Sequence, residues 1–215
     1  MRCSSWIVAV ALLGVASARN RAGLAIERRQ TLFLGAGLSF AGFVPPPARA
    51  RTPGSTDVGE ALDQIKDASD ALKTLQSEWS SYACVDKEGR ACNVDAARKV
   101  LGGVAPQRGD AAIEVAKRTP LYRIDGAFAA VRRYALEGDA AWADALDVEA
   151  FVEKGEEIAF ALKKADDGFY GVVFASKGST QLDKIYAEGK QSVDLAVRDF
   201  DQILTMLREA KAPGL

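Results

Sequence analysis

Four carboxylates stand as adjacent pairs in this 215-residue chain, Glu156-Glu157 and Asp166-Asp167. Paired carboxylates can divide acid and base roles, one protonated and the other ionised. That chemistry needs both groups to reach one substrate, and neighbouring residues on a helix point about 100° apart. Solvated helix faces or ends are therefore the expected places for both pairs. The chain contains no histidine, which excludes Ser-His-Asp and Cys-His catalysis and removes the commonest general base. The stretch "GAGLSFAG", residues 35–42, imitates a phosphate-cradling loop. A dinucleotide loop, however, follows a buried strand inside a βαβ unit of about 30 residues. Here Arg28-Arg29 precede it and Pro45 to Pro47 follow it.

The remaining reactive side chains are three cysteines. Cys3 lies in the greasy N-terminus, while Cys84 and Cys92 flank seven residues that include the turn-forming "DKEG". A ring of that size can close as a disulfide, and this pairing is the expectation. Two free thiols or half a metal site are the alternatives, and no further histidine or cysteine is available to complete tetrahedral ligation. No metal or other cofactor is expected.

What precedes these residues reads as two address labels. "WIVAVALLGVASA" follows Met1-Arg2 and ends in small residues at Ala16 and Ala18, the pattern of a secretory signal. Its run of roughly ten apolar residues is too short to span a bilayer. "RNRAGLAIERRQ" is rich in arginine and holds one acid, Glu27, as transit segments do. Arg28-Arg29 then lead into a second apolar run and "PARA", which places Ala48 and Ala50 at the −3 and −1 positions of another cleavage site. Twin-arginine signals are addresses read by a receptor. The arrangement resembles the multipartite presequence of a thylakoid-lumen protein in an alga with a complex plastid. Arg19 stands where plastids of red-algal descent use an aromatic residue. The expected organisation is a secretory signal peptide at 1–18, a plastid transit and twin-arginine signal at 19–50, and a lumenal domain at 51–215.

Residues 1–50 hold six of the 28 basic and one of the 29 acidic side chains, which leaves 22 basic against 28 acidic and a net charge of −6. An acidic domain lacks the basic surface that phosphate binding relies on, so nucleic acid is not an expected partner. Its 165 residues suffice for one domain with a real core.

The periodicity of that domain is helical. Asp57 and Glu60 form a capping box, and Val58, Ala61, Ile65, Ala68, Leu72, Leu75, Trp79 and Tyr82 keep one stripe over about 25 residues. Leu182, Tyr186, Gly189, Val193, Ala196, Phe200, Ile203 and Leu207 do the same at the other end. Between them, a short helix capped by Asn93 or Asp95 should stop at Gly102-Gly103. A further segment resumes at Asp110, with Pro120 in the first turn of a helix striped by Leu121, Ile124, Phe128, Val131 and Ala135. A third major helix from Asp147 turns Val148, Phe151, Val152, Ile158, Ala159 and Leu162 inward. "DDGFYGVVFASKGS" has strand-like composition but no partner strand, so it is expected to finish this helix and stop at Gly178. The fold class is all-α, an up-down four-helix bundle with an extra short helix and a disulfide-closed loop.

The stretches "ALDQIKDASDALKTLQSEW", "ARKVLGGV", "TPLYRID" and "AVRDFDQILTML" span most of residues 57–210. With the double presequence, they resemble the PsbQ-like extrinsic subunits of photosystem II, most closely the additional extrinsic subunit of diatoms and related algae. The resemblance implies a cofactor-free, non-enzymatic four-helix protein, peripheral on the lumenal face of the thylakoid membrane. Its partners would be other extrinsic proteins and the lumenal loops of the core antenna, and its role would be to retain calcium and chloride for water oxidation. An assembly factor of the lumen, or an accessory of light harvesting or photosystem I, is the alternative. Lumenal residence also favours the bridged form of Cys84 and Cys92, because the compartment is comparatively oxidising. Phe169, Tyr170 and Phe174 fit no clean stripe and are candidate docking anchors. Arg132-Arg133, Lys163-Lys164 and Lys117-Arg118 are candidate contacts to acidic loops. Trp79 is expected in the core.

Overall fold

The computed structural model describes residues 54–103, 110–175 and 180–215, all within one compact unit, Pro45–Leu215. The expected address labels and Gly178 lie outside the described residues. Four long helices dominate: α1 (Val58–Ser77), α5 (Ile124–Glu137), α7 (Val148–Val172) and α8 (Thr180–Glu209). Shorter ones fill the connections: α2 (Trp79–Tyr82), α3 (Val94–Val100), α4 (Asp110–Arg118) and α6 (Ala141–Ala145).

The first helix starts where the capping box places it, with Asp57 Oδ1 accepting from the Glu60 amide at 2.9 Å. It ends sooner than its stripe suggests. The backbone at Glu78 leaves the helical region (φ −97°, ψ 20°), and Trp79–Tyr82 forms a separate turn. Thus Ala61 to Leu75 are buried as expected, while Trp79 and Tyr82 pack on the core margin. Pro120 also falls outside a first helical turn, because Pro120 to Arg123 form a turn and α5 begins at Ile124. Buried Gln64 on α1 donates to the Pro120 and Tyr122 carbonyls at 2.9 and 3.1 Å, satisfying that turn from across the bundle.

The main contacts of α1 are with α5 and α8, and those of α7 are with α5 and α8. Lys73 pairs with Asp201 at 2.6 Å and Gln76 donates to Asp194 at 2.8 Å. The partner number falls as the α1 number rises, so α1 and α8 run antiparallel. The short connections make α5 and α7, and α7 and α8, antiparallel neighbours, and with α1 antiparallel to α8 the four long helices form an up-down bundle. Every member of the α8 stripe from Leu182 to Leu207 is buried. Phe128 joins three helices, its ring 5.9 Å from both Phe151 and Phe200. On α7 the inward set differs from expectation, with Val148 and Val152 only half-buried. Ala159 is exposed, and Gly155, Ala161 and Ala165 are buried instead.

Cys84 and Cys92 are joined by a disulfide, with Cα atoms 5.3 Å apart. They face each other in a two-stranded antiparallel ribbon, β1 (Cys84–Val85) and β2 (Ala91–Cys92), which bounds the expected disulfide-closed loop. Tyr186 on α8 donates its hydroxyl to the Cys84 carbonyl at 3.2 Å, and Asn93 donates its amide to the Ser81 carbonyl at 2.7 Å. The hairpin is therefore tied to the bundle on both sides. Beyond it, α3 closes with the amides of Gly102 and Gly103 donating to the Lys99 and Arg98 carbonyls, and Gly102 at φ +79°. That pair of bonds is a Schellman stop.

Candidate docking surface

The inward face of α7 runs through Phe151, Ile158, Leu162, Ala165 and Phe169, steps of seven, four, three and four. Each following residue is rotated by about 100° and moves toward solvent. Phe169 and Tyr170 therefore have opposite fates. Phe169 is 2% exposed, its ring 5.4 Å from Trp79 and 5.9 Å from Tyr186. It is a core residue, which corrects the expectation of an exposed anchor. Tyr170 is 51% exposed, and Val173 and Phe174, in the turn after the helix, are more so. The Tyr170 and Phe174 rings meet edge to face at 5.2 Å.

This exposed pair is held from behind. Arg98 on α3 lies 5.0 Å over the Tyr170 ring, and its Nε and Nη2 donate to the Asp166 carboxylate at 2.8 and 3.2 Å. The hydrogen bond to Asp166 raises the Arg98 pKa against the opposing effect of burial. A cation over an aromatic face contributes about 0.5–1 kcal/mol at exposed sites. Beside the patch opens a hollow of about 840 Å³ between the hairpin, α3 and the end of α7, lined by Arg90, Val94, Lys99, Val173 and Leu182 among others. Its walls combine apolar area with the charges of Arg90, Lys99 and Asp95, a mixed surface suited to a protein partner.

The basic candidates are dispersed. Lys163 and Lys164 are exposed on α7, with Lys163 paired to Asp167 one turn on. Arg132 and Arg133 are exposed on α5 beside a separate hollow of about 470 Å³ that also borders the exposed Leu136. Lys117 holds Glu114 at 2.7 Å. The acidic pairs behave as helical geometry requires: Asp166 turns to Arg98, Asp167 to Lys163, and Glu157 to Lys154. Among the described residues, no group of three or more acidic, cysteine or histidine side chains converges as a metal site. None of the described helices is long and apolar enough to cross a membrane.

Sequence patterning missed Phe160, which is 71% exposed on α7, together with Val173 and Leu136. The signal for Phe160 was present, since it lies on the side of α7 opposite the Phe151–Ile158–Leu162 stripe. The role of Arg98 had no sequence signal, because Asp166 is 68 residues away. Searches against protein-family models, curated proteins and solved structures return no match for this chain.

Proposed function

We propose that the chain is a non-catalytic extrinsic subunit of photosystem II, resident in the plastid thylakoid lumen and docked on the oxygen-evolving side. The observation that carries the docking role is the Tyr170–Val173–Phe174 patch, exposed yet braced by Arg98 and Asp166. Exposed aromatic side chains held in place in advance lose little entropy on binding, and such residues dominate many interfaces. The lumenal address rests on the tandem presequence, and the choice of photosystem rests on the resemblance to PsbQ-like subunits. In this role the subunit acts from outside the manganese site, by covering it and slowing the loss of calcium and chloride.

Washing thylakoids with salt and rebinding the purified protein tests the proposal. The protein should co-purify with photosystem II and leave at high salt, because docking charges are screened over about 8 Å at physiological ionic strength. Its removal should lower oxygen evolution mainly when calcium or chloride is scarce. Tyr170→Ala with Phe174→Ala should weaken rebinding more than Glu156→Ala with Glu157→Ala. Oxygen evolution indifferent to the protein under every ion condition would reject the proposal and favour a transient assembly factor.

A further inference from the structure

The solvent face of α7 carries Glu156, Phe160, Lys163, Asp167, Tyr170 and Phe174, the last just beyond the helix. These positions step by four and three, the spacing of a helix-packing seam, yet all are exposed and lie away from the buried stripe, Phe160 opposite it and Tyr170 on its flank. Their order is also mirrored. About the level of Ala165, Lys163 and Lys164 balance Asp167 and Asp166, and Phe160 balances Tyr170. A helix that only needs solubility has no use for two large exposed aromatics spaced symmetrically around such a charge block. The local charge order is itself the poorer one, since an acid before a lysine at i, i+4 supports a helix better than the reverse.

We infer that this face is a self-association surface, and that its partner is a second copy of the same chain, with the two α7 helices antiparallel about a two-fold axis at the level of Ala165. An isologous contact brings residue i to residue j and j to i. Two-fold pairing at this level sets Phe160 against the partner's Tyr170 and Lys163 against the partner's Asp167, each twice. Phe160 and Tyr170 are ten residues apart, so the two aromatic contacts lie about 15 Å from one another with the charges between them. Each Lys163 and Asp167 already pair within the chain, and the second copy turns two such pairs into an alternating ring of four charges. At each end Phe174 comes level with the partner's Glu156, beside a groove of about 170 Å³ floored by Phe128 and left open at Gly155. A β-carbon at Gly155 would stand 3.4 Å from the Phe128 ring and narrow that groove.

A parallel arrangement would place Lys163 on Lys163 and Asp167 on Asp167, so charge selects the antiparallel one. A single helix pair buries less than about 1,200 Å², the class of weak and transient contacts. Pairing of the free chain would cover the docking patch, but it stands independently of the function proposed above, because it concerns the isolated protein alone.

Sedimentation velocity of the compact unit Pro45–Leu215 at low salt tests the pairing, with circular dichroism verifying that each variant is folded. At about 100 µM, a concentration that fills a weak interface, the unaltered protein should be dimeric. Lys163→Asp alone and Asp167→Lys alone should each weaken association by roughly tenfold or more, since each confronts like charges across the axis. An equimolar mixture of those two variants should recover the dimer, because every contact across the axis is then between opposite charges. Phe160→Ser should weaken pairing without altering the charges. A monomeric unaltered protein at that concentration would overturn the inference. So would a dimer indifferent to Lys163→Asp and Phe160→Ser, or a mixture that stays monomeric.

Discussion

Phe169→Ala and Tyr170→Ala alter adjacent residues with related side chains and should have opposite consequences. The Phe169 ring is 2% exposed and touches Trp79 and Tyr186. Removing a buried phenyl group costs about 3–5 kcal/mol, the sum of lost transfer energy and the cavity left behind. Trp79 lies at the core margin, where some collapse into the space is available, so the lower half of that range is expected. For a domain of this size each kcal/mol lowers Tm by about 2–4 °C, which gives a loss of roughly 10 °C. Tyr170 is 51% exposed, and its anchoring contact is the Arg98 cation. Its truncation forfeits about 0.5–1 kcal/mol, or roughly 2 °C, while removing an aromatic from the proposed docking surface. Differential scanning calorimetry separates the two, and rebinding to salt-washed membranes reads the surface. Equal losses of Tm, or a larger one for Tyr170→Ala, would refute the assignment of Phe169 to the core and Tyr170 to the surface.

Three further outcomes follow from particular contacts. Gly102→Ala should destabilise the fold by more than about 1 kcal/mol in urea melts, because φ is +79° and the new β-carbon would stand 2.9 Å from the Leu121 carbonyl oxygen. Replacing Cys84 and Cys92 by serine should cost about 2–3 kcal/mol by the loop-entropy relation for so short a ring, and alkylation without reductant should label neither thiol in the unaltered protein. Burial pushes the Asp194 carboxyl upward, but hydrogen bonds from Lys190 and Gln76 outweigh it and hold its pKa below the ordinary value. A depressed carboxylate stabilises the fold above its unfolded pKa, near 4, and that contribution is lost as pH falls through the folded value. Asp194→Asn should therefore flatten part of the decline in Tm below about pH 4.

The helical class, the long first and last helices and the hairpin-sized cysteine ring were legible in the sequence, because each rests on spacing between near neighbours. A period of 3.6 residues needs no knowledge of the rest of the fold, and Leu182 to Leu207 are buried as that period dictates. The same local rules place Asp57 as a cap and Gly102-Gly103 as a stop. They also separate Asp166 and Asp167 onto different partners.

Only the packed structure decided what faced what across the bundle. The α7 stripe carried on from Leu162 and Ala165 reaches Phe169 rather than Tyr170, but it does not say which side chains close around that ring. Phe169 is buried because Trp79 and Tyr186, 90 residues before it and 17 after it, close around its ring. Tyr170 is exposed, and Arg98, held by Asp166, reaches over its ring from α3. The early end of α1 at Ser77 has a similar origin. Its stripe continues in sequence, but Trp79 must turn to meet Phe169 and Gly189 on the facing helices. Periodicity specifies which face of a helix is apolar. Which helix meets that face, and which side chains beside it stay in water, depends on contacts between residues far apart in the chain.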